Sequence, residues 1–204
     1  MPPRGIVLAT HNAGKVAELT EILKRAGVSV SVLSLRDFPG VPPVEETGES
    51  FEENAIIKAR HVCLHTGLIS IADDSGLEVD ALGGLPGVRS ARFAGPHATD
   101  EENNLKLLSL LQGVPLEKRK ARFVAAVALC TPSGHIDVVR GTCEGLIITE
   151  LRGSGGFGYD PLFLVPETGL TFAEMDVATK NRISHRGKAL RAIRPRLLRV
   201  LSDT

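Results

Sequence analysis

Asp73 and Asp74 are adjacent carboxylates at the end of an apolar run, Leu68 to Ala72, and Ser75 and Gly76 follow them. Two neighbouring acids at the mouth of a buried strand are costly unless something offsets their charge, so a metal ion or another cation belongs beside them. Gly76 would let the backbone turn sharply and expose both carboxylates. The same residues also suit a solvated Asx turn. The other polar clusters of the chain decide between a turn and a site.

The first of these is His11-Asn12-Ala13-Gly14-Lys15. It lies between the apolar run Gly5 to Thr10, which reads as a buried first strand, and a helical pattern from Val16 to Ala26. Leu19, Ile22 and Leu23 share one face of that helix and Gly27 is its stop. Strand, glycine-containing loop and helix in that order suit an anion, because loop amides and a helix N-terminus point at it and Lys15 adds positive charge. This is not a Walker A loop, since Ala9 and Val16 stand where that motif needs Gly and Ser or Thr. An ordinary strand-to-helix turn is the alternative.

Further acids precede the next helix. Ser50-Phe51-Glu52-Glu53 has capping-box spacing, and Phe51, Ala55, Ala59, Val62 and Cys63 recur at helical intervals before Gly67. Glu52 and Glu53 answer the helix dipole, whereas Glu45, Glu46 and Glu49 lie in the loop before the cap, free to meet the Asp pair. Lys58 is a helix-surface lysine unless the short strand that follows brings it to Asp73.

Gly153 to Pro161 contains a formal GxGxxG, but Pro161 and a strand-like Leu162 to Val165 follow where a dinucleotide fold needs a helix. Carrying Phe157, Tyr159 and Asp160, this loop reads either as a platform on which a flat ring stacks or as a turn with two packing aromatics. Near the C-terminus, Ser184 is the expected N-cap of a final helix with Ala189, Leu190, Ile193 and Leu197 on its apolar face, which Pro195 should kink or interrupt. His185 and Arg186 at that helix start oppose its dipole and suggest an anion or acceptor-rich ligand, while Arg182 and Lys188 suit a solvated face.

The elements that must position these groups follow from the same patterns. Val28 to Val32 alternates as a second strand, and a proline-rich loop spans Pro39 to Pro43. Leu77 to Asp80 and Ser90 to Phe93 suggest short strands around Gly83-Gly84-Leu85-Pro86-Gly87. Thr99 to Glu102 is a second capping box, opening a leucine-rich helix that ends near Gly113. Arg119 to Cys130 and Ile136 to Cys143 form a hairpin around Thr131-Pro132-Ser133-Gly134, with Phe123 to Cys130 buried on both sides. The order predicts an α/β fold with a mixed central β-sheet flanked by helices.

Composition narrows the partners. With 204 residues and 43% hydrophobic content the chain can build one domain, or two small lobes around one cleft. Lys plus Arg and Asp plus Glu each total 24, so no bulk basic field calls for a nucleic-acid polymer. Cys63, Cys130 and Cys143 lack CxxC spacing and read as small buried hydrophobes in a reducing compartment. Met1-Pro2-Pro3-Arg4 leads into no signal-peptide core and no stretch has transmembrane length, so a soluble cytoplasmic protein with no membrane partner is expected.

Taken together, the phosphate-type loop, the acids, the lysines, the aromatic loop and the His-Arg pair fit Mg²⁺-assisted attack of water on a nucleotide polyphosphate. A nucleotide-binding sensor without turnover, or a sugar or dinucleotide enzyme using the glycine loop, would use part of the same set. Thr10 to Lys15, Glu45 to Gly48, Phe51 to Ala55 with Lys58-Ala59, Ala72 to Leu77, Gly156 to Pro161 and Ser184 to Arg186 resemble, in order, the motifs of the inosine triphosphate pyrophosphatase family, the XTP/dITP diphosphatases. The resemblance implies one domain over residues 1–204, two lobes around a nucleotide-binding cleft, a homodimer, and Mg²⁺-dependent hydrolysis of ITP, dITP and XTP to the monophosphate and pyrophosphate. It also implies that Thr10, His11, Asn12, Ala13, Gly14 and Lys15 hold the triphosphate, and that Glu46 and Asp74 hold the metal. Asp74 would accept the proton and Ser75 would touch substrate. Phe157, Gly158, Tyr159, Asp160, Lys180, His185 and Arg186 would line the base pocket, with Asp73 and Lys58 in support. His11 stands where members of that family carry Gly.

Overall fold

The computed structural model describes residues 5–25 and 30–202. The strands are β1 (Gly5–Leu8), β2 (Ser31–Ser34), β3 (Ile69–Val79), β4 (Lys120–Cys130), β5 (Ile136–Ile147), β6 (Phe163–Val165) and β7 (Leu170–Thr171). The helices are α1 (Ala13–Arg25), α2 (Phe51–Thr66), α3 (Asp100–Leu110), α4 (Val177–Ile183) and α5 (His185–Ser202). The strands form a mixed sheet in the order β2-β1-β3-β4-β5-β6-β7. The expected helix end at Ala26, its stop at Gly27, the start of the second strand at Val28 and the N-terminal Met1 to Arg4 lie outside the described residues, as does the side chain of Ile22.

The chain divides into two compact units: Met1–Asp74 with Ala126–Arg140 and Lys188–Thr204, and Ser75–Ala125 with Gly141–Gly187. In the first unit β1 pairs in parallel with β2 and with the start of β3, Ile6 to Leu8 opposite Ile69 to Ile71. A strand with parallel neighbours on both edges is covered on both faces, and β1 is buried throughout, as its run of apolar residues requires. In the second unit the core gathers Leu77, Val79, Leu107, Leu111, Phe123, Ile147, Phe163 and Phe172. Phe123 meets Phe163 at 4.6 Å between ring centroids, and Phe163 meets Phe172 at 5.0 Å.

Several expectations are corrected. There is no turn at Ser75-Gly76, because β3 runs unbroken through Asp73, Asp74, Ser75 and Gly76, and Gly76 does not adopt a positive φ. β1 pairs only with the start of β3, but β4 is its neighbour on the other side, and a turn would forfeit the backbone bonds of that edge. Residues 87–92 form a 3-10 helix instead of a strand. α1 begins at Ala13, so Gly14 and Lys15 lie in its first turn rather than in a loop. Pro195 does not interrupt α5, whose Leu190, Ile193 and Leu197 are buried and hold the helix to the core. The short α4 and β7 carried too few residues for their periodicity to be read.

Caps behave as the sequence suggests. Thr99 and Glu102 complete their box at α3, and Ser184 Oγ accepts from Gly187 N at 3.2 Å to start α5. Ser50 caps α2 through Glu53 N at 3.2 Å, but the Glu53 carboxylate reaches one residue further back and accepts from Glu49 N at 2.7 Å. Gly67 closes α2 at φ 68°, a left-handed position that glycine adopts without strain. In the hairpin, β4 is buried from Phe123 to Cys130.

Cys63, Cys130 and Cys143 are buried thiols outside any disulfide, and burial pushes the Cys63 thiol up to about 12. All three thiols are shielded from solvent, so the native protein should consume no thiol reagent at mildly alkaline pH within minutes. The three cysteines should titrate together once denaturant is added. A thiol that reacts at once in the native state would contradict the packing described.

Candidate active site

An extended strand turns successive side chains to opposite faces, so continuing β3 through Asp73 and Asp74 separates the two carboxylates. Each then finds its own lysine. Lys15 Nζ, from the first turn of α1, donates to Asp73 Oδ1 at 2.8 Å and Oδ2 at 2.9 Å. Lys58 Nζ, from the middle of α2, lies 2.8 Å from Asp74 Oδ1 and 3.2 Å from Glu46 Oε1. One ammonium therefore bridges two carboxylates that come from different segments.

Asn54, fully buried on α2, holds this cluster together. Its Nδ2 donates to Asp74 Oδ2 at 3.3 Å and its Oδ1 accepts from Gly48 N at 2.8 Å. Gly48 must approach closely, because a Cβ there would meet Asn54 Oδ1 and Glu53 Cβ at 2.7 Å. Asn54 thus ties the loop that carries Glu46 to the strand that carries Asp74. Its importance was detectable in principle: an asparagine three residues after Phe51, on the apolar face of a helix, needs partners for both ends of its amide.

The electrostatics follow from burial and from this pairing. Removal from water raises the Asp74 pKa above the ordinary carboxylate value, and nearby Glu46 raises it further, against the opposing pull of Lys58 and Asn54. Burial alone would lower the Lys58 pKa, but Asp74, Glu46 and Asp73 outweigh it and raise it. Asp74 is therefore a more basic carboxylate than a solvated one, beside an ammonium that stays charged. Glu45 and Glu49 are exposed, and only Glu46 of the three loop acids joins the cluster.

The turn that leads into α1 is organised by its own side chains. Thr10 Oγ1 accepts from Asn12 N at 3.1 Å, and Asn12 Oδ1 accepts from Gly14 N at 2.8 Å. His11, Asn12, Ala13 and Gly14 are exposed there, while Lys15 is half-buried and turned to Asp73.

The second unit assembles the remaining candidates. Asp160, buried, accepts from Phe157 N at 2.9 Å and pairs with Lys180 of α4. Gly156 at φ 76° makes room for that carboxylate, since a Cβ would collide with Asp160 Oδ2. Phe157 stands 58% exposed. Lys180 Nζ lies 5.2 Å and Arg186 Cζ 5.8 Å from its ring centroid. Arg186 also donates to Ser75 Oγ at 3.3 Å. Phe157 and Tyr159 do not form a joint platform. Tyr159 is buried, and its hydroxyl donates to Ser90 O at 2.8 Å, so the ring belongs to the core. His185 is buried as well, stacked on Phe123 at 4.8 Å. Asp73, Asp74, Glu46, Lys15 and Lys58 thus gather in the first unit, and Ser75, Phe157, Asp160, Lys180 and Arg186 in the second, with Asp74 and Ser75 adjacent in β3.

Known proteins are similar to this chain along nearly its whole length. The Ham1 family model matches residues 6–196. A dITP/XTP pyrophosphatase of Desulforamulus reducens is 58% identical over 91% of this chain and 92% of its own. Its counterpart in Geobacter sulfurreducens is 52% identical over 94% and 96%. Among solved structures, the Staphylococcus aureus Ham1 protein superposes with a TM-score of 0.87 at 39% identity, covering 95% of this chain and 97% of its own. A HAM1 protein from Coxiella burnetii gives 0.87 at 44% identity over 98% and 99%.

The pairing of Lys58 with Asp74 makes a stability prediction. Lys58→Ala leaves the desolvated Asp74 and the half-buried Glu46 without their shared cation, and losing one partner of a buried pair costs about 3 kcal/mol. Urea unfolding of the variant should show a loss of that order, and a loss below about 0.5 kcal/mol would mean the pair is screened like a surface one.

Proposed function

The chain belongs to the Ham1 family, and on that premise we propose that it is a nucleoside triphosphate pyrophosphohydrolase, cleaving dITP, ITP and XTP to the monophosphate and pyrophosphate. The observation that carries this reading is the Asp74 cluster: a desolvated, basic carboxylate sharing a lysine with Glu46. The names of the bacterial relatives, dITP/XTP pyrophosphatases along nearly their whole lengths, support the substrate class.

In this reading the anionic triphosphate meets Thr10, His11, Asn12, Ala13, Gly14 and Lys15, where the α1 N-terminus and the Lys15 ammonium supply positive potential. Asp73 holds Lys15 in that direction. Asp74 takes the proton of a water that attacks phosphorus, and the bond between the α-phosphorus and its bridging oxygen breaks, so that pyrophosphate leaves with the electron pair. Its raised basicity suits that role, because a solvated carboxylate is too weak a base near neutral pH. Lys58 keeps a positive charge beside the developing negative one.

A divalent cation fits the same place. Glu46 and Asp74 present oxygen ligands that already meet on one cationic group, the Lys58 ammonium. Among the described residues no cluster of three or more His, Cys, Asp or Glu side chains forms a metal site. The Glu46–Asp74 pair suits Mg²⁺, which takes one or two carboxylates and completes its shell with phosphate oxygens and water. When bound, the ion neutralises phosphate charge.

The base falls to Ser75, Phe157, Gly158, Tyr159, Asp160, Lys180, His185 and Arg186. Phe157 offers the stacking face, Gly158 and Tyr159 shape the turn that carries it, and His185 backs the pocket from its aromatic stack. A 6-oxo group accepts from donors such as Lys180 or Arg186, whereas the 6-amino group of adenine leaves them unpaired, a difference a buried polar site converts into ~10⁴-fold discrimination. The reading extends to a cytoplasmic homodimer acting on small nucleotides, not on nucleic-acid polymers or membranes. Among the described residues no helix is long and apolar enough to cross a membrane.

Incubation with ITP and Mg²⁺ should release pyrophosphate and IMP, with ATP cleaved far more slowly. Absent pyrophosphate with ITP bound would favour a sensor, and equal cleavage of ATP would remove the proposed selectivity. Asp74→Asn should lower kcat about 10³-fold while ITP still binds. Sedimentation of the purified protein at twice the chain mass would support the homodimer, and a monomer would count against it.

A further inference from the structure

We propose that Asp100 and Asn104 of α3 are positioning residues that set base selectivity by holding Gly158, an inference that rests on reading residues 157–160 as the base-binding loop. Gly158 is gripped at both of its polar backbone atoms. Its N–H donates to Asp100 Oδ2 at 2.6 Å, and its carbonyl accepts from Asn104 Nδ2 at 2.9 Å. The two side chains are four residues apart, one helical turn, and so stand on one face of α3. Gly158 has φ 59°, a left-handed conformation that local sequence permits but does not impose. The two α3 contacts select it.

The grip is useful because α3 is itself well anchored. Its N-terminus is closed by the Thr99–Glu102 box, and Leu107 is fully buried beneath it. Asn103 accepts from Ala94 N at 2.8 Å and donates to Ala91 O at 3.3 Å, tying the helix to the 3-10 segment before it. That segment also receives the loop: Ser90 O accepts from the Tyr159 hydroxyl at 2.8 Å, and Ser90 Oγ accepts from Leu77 N of β3 at 2.8 Å. Gly158 and Tyr159 are thus held on both sides of one peptide. Phe157, the exposed ring beside them, is carried on the backbone that this frame holds.

Stacking alone tolerates every base, because every base has a π-face. Selectivity depends on holding the ring so that the donors near it meet one pattern of acceptors, and such constellations fail when they loosen by about 0.5 Å. Asp100 and Asn104 act through Gly158, away from the acids and lysines around Asp74, so their removal should weaken recognition more than the chemical step.

The test compares wild type, Asp100→Ala, Asp100→Asn and Asn104→Ala in steady-state hydrolysis of ITP and ATP, with thermal unfolding alongside. Losing one loop-holding hydrogen bond should raise KM for ITP about tenfold in Asp100→Ala, with a smaller change in kcat. The ITP-to-ATP ratio of kcat/KM should fall by a similar factor. Asp100 is exposed, so Asp100→Ala reads the loop even where Asn104→Ala unfolds. Asp100→Asn keeps an acceptor for Gly158 N and should recover most of the loss, which a purely electrostatic role of Asp100 would not allow. An unchanged KM and ratio in Asp100→Ala, or a fall in kcat alone, overturns the α3 proposal while the hydrolase reading stands. A wild type that does not hydrolyse ITP removes both.

Discussion

An extended backbone sends consecutive side chains to opposite faces, and β3 keeps that geometry through its two adjacent acids. Everything around Asp74 depends on it. Had the chain turned after Ser75, the carboxylates would face solvent together and neither lysine would be required. Because the strand continues, Asp73 draws the start of α1 to it through Lys15, and Asp74 draws α2 and the Glu46 loop to it through Lys58 and Asn54. The same strand passes straight on to Ser75, whose hydroxyl meets Arg186.

The charges in this arrangement are balanced locally. Asp74 lies close to Glu46 as well as Lys58, and burial strengthens both the attraction and the repulsion. A protein selected for stability alone would gain by replacing such a cluster with apolar side chains of similar volume. Its retention at the middle of a buried strand is understandable if the basicity of Asp74 is what the fold maintains. Gly48 shows how tightly the cluster is built, since no side chain fits between its loop and Asn54.

The glycine loop of the second unit follows a different rule. Its shape comes less from its glycines than from what grips them: Asp160 holds Phe157 N, and Asp100 and Asn104 hold Gly158. Glycine makes these backbone conformations accessible, and the side chains choose among them. Burying Tyr159 and His185 while leaving Phe157 exposed gives the loop one aromatic face rather than two.

Much was legible in the sequence because it is local. The helix caps at Ser50, Thr99 and Ser184, the two-sided burial of β4, the buried cysteines and the mixed α/β order all follow from residues close together in the chain. The family motifs named the candidate residues for the same reason, each being a short run of fixed spacing. The tertiary structure alone decided which lysine meets which aspartate, that Asn54 joins the acid loop to β3, that Tyr159 packs inward and that α3 holds Gly158. The physical reason is separation. Lys15 and Asp73 are 58 residues apart, as are Asp100 and Gly158, and no local pattern encodes a hydrogen bond over that distance until the sheet has folded.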